Sequence, residues 1–478
     1  MYNIFNTDRG EKKGSMKDET LDSNTKLPQE TTQVLKELDT IIDQAEELIS
    51  SHNVKDPELM RANKVVEEFL RKRKRICYGG MAINAHLPKN KKIYDFSKEL
   101  ADYDFYTPAL NTDMKEIETM LKDAGFTNVY SRLGMNPGTT KINVNYAPVA
   151  DLTYRPEWLC KSLTKKALVK QGIYYADADL LRSNMYLELS RPRGSVDRWQ
   201  KVYQRLLLLS EAKPVDLRDC KPIDIMAIPN DVHTDLLKYI IKKKYVFLGA
   251  EVETIYRNPN SFPTKSLDES THPVLILSPS PEKDVKEVKK RIQKFYKGHN
   301  DTTLRIVNLD TEGSYLPNIS GIMHGETIVF IAIQEQVCHS YNAVPYDSGK
   351  LFIASLDACI NIFYTLSYIH GFDGILPYTV GCFSKQLVKI SQETRDKNKP
   401  GIYPLISIDC SGYQPGIRSL LRHKVDRVKA YKLAEQKRKT FKHTVPNKMQ
   451  NNTINNNTIR NNTTRKNKTG NALWDNII

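Results

Sequence analysis

The sequence contains no C-x-x-C pair, although it has seven cysteines, at positions 77, 160, 220, 338, 359, 382 and 410. Zinc ribbons and related metal folds need closely spaced cysteines, so the sequence argues against this class of protein. An odd number of cysteines cannot all pair within one chain. We therefore expect the protein to occupy a reducing compartment.

The sequence also lacks an uncharged apolar run of the roughly 20 residues that a transmembrane helix needs. Its N-terminus, MYNIFNTDRGEKK, lacks the apolar core of a signal peptide. We therefore expect a soluble, intracellular protein with no membrane partner. On that expectation, the Asn-x-Thr triplets at 451–469 are not glycosylation sites.

Acidic residues are scarce at the C-terminal end. From Arg418 onward there are 15 lysines and arginines and three acids, which gives this tail a charge of +12 out of a formal +15 for the whole chain. Residues 417–478 are therefore predicted to form a basic helix followed by an Asn-rich disordered tail. Such a tail favours an anionic polymer as partner, although solubilising appendages and nuclear signals have the same composition.

The length of 478 residues exceeds the roughly 250–300 residues of a single core, so we expect two or three domains. Residues 1–27 are polar and aperiodic, and are predicted to be disordered. Apolar residues then recur every three or four positions over 34–49 and again from Pro57. This spacing predicts two helices.

A pair of glycines, Gly79 and Gly80, stands between a short apolar strand at 76–78 and a helical stretch at 81–87. Glycines at such a turn let the backbone approach a phosphate group, and the N–H groups that begin the next helix point toward it. A Gly-Gly pair also marks many ordinary turns. The turn alone therefore indicates a nucleotide site only weakly.

Two carboxylates, Asp102 and Asp104, follow in a strand that is rich in aromatic residues. The two-residue period of a strand places both on one face, where like charges repel each other. A magnesium ion would relieve this repulsion because it prefers hard oxygen ligands. Asp151, within an apolar run at 148–154, is the expected third ligand, although a capped turn would also suit it. The three aspartates predict a nucleotidyl-transfer site with two metal ions.

Three runs carry a family resemblance: Tyr-Gly-Gly-x-Ala-Ile at 78–83, Asp-Tyr-Asp-Phe-Tyr-Thr-Pro at 102–108 and Val-Ala-Asp-Leu-Thr-Tyr at 149–154. Their order resembles the polymerase-β nucleotidyltransferase superfamily. More narrowly, they are similar to the poly(A) polymerase catalytic subunits of large cytoplasmic DNA viruses, of the mimivirus, poxvirus and asfarvirus type. The match at the level of motifs covers about 76–210, under a third of the chain.

The resemblance implies a template-independent RNA 3′ adenylyltransferase, which adds AMP from ATP to mRNA 3′ ends. It implies two Mg²⁺ or Mn²⁺ ions held by Asp102, Asp104 and Asp151. The nucleotide would contact Gly79, Gly80 and Arg182, although Arg182 would also suit a helix surface. Many superfamily members have Gly-Ser where this chain has Gly-Gly, and this difference removes one hydroxyl contact to phosphate. The implied location is the host cytoplasm or virus factory, with packaging in the virion and a homodimer left open.

A second half begins with the same strand, glycine and helix order at 245–257, around Gly249. Among the acidic pairs with alternating spacing in this half, Glu251 and Glu253 fall within the predicted helix, and Asp310 and Glu312 suit the end of a strand, so we expect this half to lack catalysis. The predicted fold is α+β, with two tandem polymerase-β-like nucleotidyltransferase domains, the second degenerate. The predicted boundaries are 1–27, 28–220 for the catalytic domain, 221–416 for the second domain and 417–478.

Other functions fit parts of this pattern. A uridylyl- or CCA-adding enzyme would use the same three aspartates, because the choice of nucleobase depends on contacts that the motifs do not place. A small-molecule transferase of the aminoglycoside type would also use them, but would not need the basic tail. A catalytically inactive RNA-binding scaffold would need the tail and not the aspartates.

Overall fold

The computed structural model describes residues 57–94, 102–258, 262, 264–296, 303–309, 317–347, 349–369, 374–394 and 403–444, and five isolated residues between 37 and 45. The segments predicted to be disordered, and most of the helix predicted over 34–49, lie outside these ranges. The described chain mixes helices with two sheets, which confirms the predicted α+β class.

The first half contains α1 (Pro57–Arg73), β1 (Ile76–Cys77), α2 (Gly79–His86), β2 (Tyr103–Thr107), α3 (Leu110–Asp123), β3 (Val129–Leu133), β4 (Thr139–Val144), β5 (Ala147–Tyr154), α4 (Glu157–Lys166), β6 (Leu168–Lys170), β7 (Ile173–Tyr175), α5 (Ala178–Leu189) and α6 (Trp199–Ala212). The second half contains α7 (Asn230–Lys243), β8 (Val246–Phe247), α8 (Val252–Arg257), α9 (Thr264–Asp268), β9 (Val274–Ser278), α10 (Pro281–Ile292), β10 (Leu304–Leu309), β11 (Ile319–His324), β12 (Thr327–Gln334), β13 (His339–Tyr346), β14 (Gly349–Ala354), α11 (Leu356–Leu366), α12 (Val380–Glu393), β15 (Cys410–Ser411) and α13 (Ile417–Thr444).

The helix predicted from Pro57 is confirmed as α1. Its apolar side chains recur on one face and are buried, among them Val66, Phe69 and Leu70. Three basic residues occupy its last turn, where cations are favourable because helix carbonyl groups point toward them. Lys74, with a φ of 52°, then ends the helix in the left-handed conformation and directs the chain into β1.

The two sheets share one topology. The first has the strand order β3-β4-β5-β2-β1-β7-β6, and the second has the order β10-β11-β12-β9-β8-β14-β13-β15. The central pairs also agree in direction: β1–β2 and β8–β9 are antiparallel, while β2–β5 and β9–β12 are parallel. The second half therefore repeats the first with one additional edge strand, as the strand, glycine and helix order at 245–257 predicted.

A clasp between a hydroxyl and a carboxylate is repeated as well. In the first half, the Thr107 hydroxyl donates to Asp113 and accepts from the Ala109 N–H at 2.9 Å. In the second half, the Ser278 hydroxyl donates to Asp284 and accepts from the Ser280 N–H at 2.9 Å. Both clasps join the end of a central strand to the helix that follows it.

The two halves share one continuous hydrophobic core. Helix α5 packs against α11, where the Asn361 side-chain amide donates to the carbonyl and hydroxyl oxygens of Ser183 at 3.1 and 3.0 Å. A backbone bond of 2.9 Å also joins the Ser340 N–H to the Ser190 carbonyl. The domain boundaries at 220 and 416 stay predictions.

Four of the seven cysteines are paired. Disulfides join Cys220 to Cys382 and Cys338 to Cys410, while Cys77, Cys160 and Cys359 are free. The partners are separated by 162 and 72 residues, so local spacing could not reveal them. The cysteines therefore do not support the expected reducing compartment.

Within the described ranges, no helix combines the length and the apolar character that a membrane crossing requires.

Candidate active site

The glycine pair begins helix α2, as predicted, and each glycine is needed for a different reason. Gly79 has a φ of +67°, and a Cβ atom there would collide with the Asp104 carboxylate. A Cβ atom on Gly80 would collide with the ring and hydroxyl of Tyr94. The turn is held to β2 by a 2.9 Å bond from the Tyr78 N–H to the Asp104 carbonyl. The start of α2 therefore lies directly against the Asp104 side chain.

The three predicted aspartates meet at this turn. Asp104 lies in β2 and is paired directly with Asp151 of the parallel strand β5. Neighbouring strands are about 4.8 Å apart, and residues two positions apart share a face. Asp102 therefore lies on the same face, one step before Asp104. Asp151 is buried, with 8% exposed, while Asp102 and Asp104 are partly buried.

Their proximity changes their pKa values. Burial raises the pKa of Asp104 to about 7, and repulsion from Asp102 and Asp151 adds to this. The pKa of Asp102 is also raised, first by burial and then by the charge of Asp151. Lys141 of β4 opposes both shifts. Crowded carboxylates that resist ionisation are ones that a bound cation would stabilise.

Lys141 is a member of this cluster that the sequence did not indicate. It lies in β4 directly opposite Asp151, and its ammonium group donates to Asp151 Oδ2. Arg198, in the turn before α6, also lowers the pKa of Asp104 and contacts Glu188 at 3.3 Å. The alternation of β4 could have placed Lys141 on the carboxylate face, if its pairing with β5 had been known. No local pattern marks Arg198.

A metal ion is implied by the resemblance, and the donor set fits one. Carboxylate oxygens are the ligands that Mg²⁺ prefers. Asp151 Oδ1 is buried without a hydrogen-bond partner, so one oxygen of the cluster is left to accept. Among the residues that the structure describes, no group of three or more His, Cys, Asp or Glu side chains converges closely enough to form a ready metal site. Lys141 supplies the positive charge in this arrangement.

Arg182 lies on α5, as predicted, but not on the helix surface. Its side chain is 2% exposed, and its Nη1 donates to Asp179 at 2.5 Å. Its Nε and Nη2 atoms are buried and have no hydrogen-bond partner. The alternative of a surface arginine is therefore wrong. The cations that act on Asp104 are Lys141 and Arg198, so the structure does not bring Arg182 into the carboxylate cluster.

Aromatic side chains pack against each other next to the carboxylates. The rings of Tyr78 and Tyr106 are stacked, with centroids 4.1 Å apart and planes 10° apart. The Tyr78 hydroxyl is 2.9 Å from that of Thr153, and the Arg155 guanidinium lies 4.9 Å from the Tyr106 ring centroid. These contacts fix the turn between β1 and α2, because Tyr78 immediately precedes Gly79.

The second half has apolar residues where the first has the aspartates. Phe247 of β8 faces Ile276, as Cys77 of β1 faces Phe105. By this register, Leu275 corresponds to Asp104 and Pro273 to Asp102. In β12, Ile331 is paired with Leu275, as Asp151 is paired with Asp104. Asp310 and Glu312 follow β10 and lie outside the described residues.

The fold matches that of a solved viral protein. The crystal structure of the Megavirus polyadenylate synthase superposes with a TM-score of 0.65 and 17% identity, covering 90% of this chain and 86% of that one. At this level of identity the match shows the fold alone, and it confirms the predicted two-sheet architecture.

The first half also resembles a known protein family in sequence. Residues 64–195 match the family model described as "Poly(A) polymerase catalytic subunit". A protein of Acanthamoeba polyphaga mimivirus, named as a poly(A) polymerase catalytic subunit, is 28% identical over 226 residues, 45% of this chain and 37% of its own length. A protein of the same name from African swine fever virus, strain Badajoz, is 29% identical over 174 residues, 35% of this chain and 36% of its own length.

These matches confirm the resemblance that the three motifs indicated. The matched segment contains both glycines, the three aspartates and Arg182. The aligned part of the chain spans a little over a third of the length of each of these two relatives.

Proposed function

We propose that this chain is a polynucleotide adenylyltransferase, which transfers AMP from ATP to the 3′ end of RNA. The observation that carries the proposal is the meeting of Asp102, Asp104 and Asp151 beside the turn that begins α2. Acids this close and this buried cost stability, so their presence needs a chemical reason.

The residues of the turn and those of the sheet would have different roles. The free N–H groups at the start of α2 would bind the triphosphate, and Gly79 and Gly80 allow this turn to pack directly against Asp104 and Tyr94. Asp102, Asp104 and Asp151 would hold two Mg²⁺ or Mn²⁺ ions. Such ions, when bound, lower the pKa of an attacking hydroxyl and neutralise charge on the phosphates. Asp104, whose pKa is raised to about 7, would be held ionised by that positive charge.

Arg182 enters the proposal as a nucleotide-binding residue acting from α5. Two of its nitrogens are buried without partners, which leaves donors for an anionic ligand. Because its side chain is 2% exposed, contact with a nucleotide requires α5 or its neighbours to move. Substitution of Arg182 by Lys would keep the charge and remove the forked geometry that a phosphate group accepts.

The choice of adenine and of RNA rests on the family resemblance and on the names of the relatives. The same relatives come from cytoplasmic DNA viruses, so we propose that the chain acts in the cytoplasm of an infected cell. Packaging in the virion and assembly as a homodimer belong to the same proposal and need separate measurements.

The test is to incubate the purified chain with 5′-labelled RNA, Mg²⁺ or Mn²⁺, and each nucleoside triphosphate in turn. We expect a ladder of longer products with ATP alone, none after Asp104→Asn, and an unchanged ladder after Asp123→Asn, an exposed acid on α3. Extension by UTP, or by CTP followed by ATP, would replace adenylyl transfer with another terminal transfer. RNA binding without extension would indicate an RNA-binding scaffold. The absence of both RNA binding and extension would indicate a small-molecule acceptor.

A further inference from the structure

The C-terminal helix α13 is fastened to the catalytic half. The Arg427 guanidinium donates to the carbonyl oxygens of Gly134 and Met135, both at 2.9 Å. These carbonyls belong to the turn that joins β3 to β4. Burial at this contact lowers the pKa of Arg427, as expected for a cation taken partly out of water. Arg427 is therefore an anchor that joins this basic helix to one edge of the catalytic sheet.

The anchored turn lies close to the carboxylates. Strand β4 carries Lys141 opposite Asp151, and β5 is paired in turn with β2, which carries Asp104. Two strand spacings separate β4 from β2, about 10 Å. The turn at 134–138 begins only a few residues before Lys141. Arg427 therefore ties α13 to the turn that precedes β4, the strand that carries Lys141 opposite Asp151.

One face of α13 carries three exposed cations. At 100° per residue, Arg418, Arg422 and Lys429 fall within about 40° of one another around the helix axis. All three are exposed, and in the described part of the chain none of them takes part in an ion pair. Over 11 residues they extend for about 16 Å along the helix. Arg427 lies on a different face, so the anchor leaves this basic face open.

The chemistry of this face suits phosphates better than a protein partner. A protein interface usually has an apolar centre surrounded by polar groups. Of the large exposed apolar residues at the start of α13, Ile417 and Leu421 lie on the adjoining face, and Val425 alone lies on the face of the three cations. A strand of nucleic acid needs only cations at intervals along its path.

We propose that the Arg418, Arg422 and Lys429 face of α13 binds the phosphate backbone of the RNA whose 3′ end lies at the three aspartates. This inference rests on the proposed function, since it names the path of the same substrate. Arg427 is a positioning residue here: it holds the basic face beside the catalytic sheet.

The test compares the full chain, the triple variant R418Q/R422Q/K429Q and the control K283Q/K286Q/K290Q. The control removes three exposed lysines from one face of α10 in the second half. Affinity for a fluorescent single-stranded RNA is measured by anisotropy across a salt series without divalent ions. We expect the slope of log affinity against log salt to become shallower by about 2, from three contacts of about 0.7 each. At 0.1 M salt we expect a roughly tenfold weaker affinity, with the control variant unchanged.

The outcomes separate this inference from the proposed function. If the full chain extends RNA and the triple variant keeps the original salt slope, α13 is not the RNA path and the inference fails alone. If the full chain neither binds nor extends RNA, the proposed function fails as well. Arg427→Met keeps all three cations, so we expect it to keep the salt slope while lowering the extension rate several-fold. A loss of slope in that variant would overturn the anchor role.

Discussion

The two halves of this chain share one sheet topology. At corresponding positions of two neighbouring strands, however, the first half has carboxylates and the second has apolar side chains. In the first half, β2 and β5 bring Asp104 and Asp151 side by side, while in the second half β9 and β12 bring together Leu275 and Ile331. The residues of β9 from Val274 to Leu277 are all essentially inaccessible to solvent. The sheet therefore folds without the carboxylates, and they are present for a reason other than folding.

This difference shows how stability and chemistry are divided. Apolar side chains at these positions add to the core, whereas three neighbouring, at least partly buried carboxylates reduce its stability because they repel one another. The raised pKa of Asp104 is the direct sign of that cost in the first half. The second half has the same sheet without this repulsion between carboxylates.

The largest effect is expected from removing the carboxylates. Asp102→Ala, Asp104→Ala and Asp151→Ala should each lower the rate of nucleotide addition by about a thousandfold or more, since several kcal/mol of charge stabilisation are lost. Each variant should fold normally, because like charges are relieved. Single-turnover extension assays and circular dichroism measure both. As a control, Ile331→Val at the corresponding position of the second half should leave the rate unchanged. If any of the three aspartate variants keeps substantial activity, that aspartate does not belong to the site.

The reverse exchange tests whether the second half can accept a charge. Leu275→Asp places a carboxylate in a fully buried position with no cation opposite it, so we expect a loss of about 3 to 5 kcal/mol in the free energy of unfolding. Urea titration measures this loss. Leu275→Met, which keeps the volume, should cost less than about 1.5 kcal/mol. Equal stability of the Asp variant and the wild type would mean that this strand is more accessible than the structure shows.

The pH dependence of stability should differ with and without Asp104. Its pKa is raised in the folded protein to about 7 from an ordinary value of 3.8, so between these values the folded state binds more protons than the unfolded state. Stability from this residue is therefore full below about pH 4 and is lost as the pH rises through 7. Relative to the wild type, Asp104→Asn should gain of the order of 2 kcal/mol between pH 4 and pH 8. Urea titrations in EDTA measure the difference, and a constant offset would contradict the shift.

The smallest effect is expected at the acids of the second half. Asp310→Ala and Glu312→Ala, in a segment outside the described residues, should leave the addition rate within a few-fold of wild type. The strand that precedes them in the sequence, β10, corresponds to β3 and not to either strand that carries an aspartate in the first half. A collapse of the rate with normal RNA binding and normal folding would show that this half carries chemistry.

The sequence located the three aspartates because strand alternation and the glycine turn are local patterns. Asp102 and Asp104 needed only the two-residue period. The partners of these residues could not be predicted in the same way, because the pairing of β4 with β5 and of β2 with β5 depends on how the whole sheet assembles. Lys141 was missed for this reason. The burial of Arg182 was missed because it depends on packing around α5 from distant parts of the chain, and both disulfides join residues far apart in sequence.

The clasp between a hydroxyl and a carboxylate occurs in both halves, so the acidic residues of one half can be compared with those of the other. Asp113 and Asp284 occupy equivalent places and accept from equivalent hydroxyls, although only one of the two halves carries the three aspartates. A carboxylate found at the same place in both halves is needed for the fold. A carboxylate found in only one half can serve another purpose. Asp113 lies six residues after Thr107 of β2, the strand that carries Asp104, and could be mistaken for a ligand. The duplicate in the other half assigns it to the framework instead.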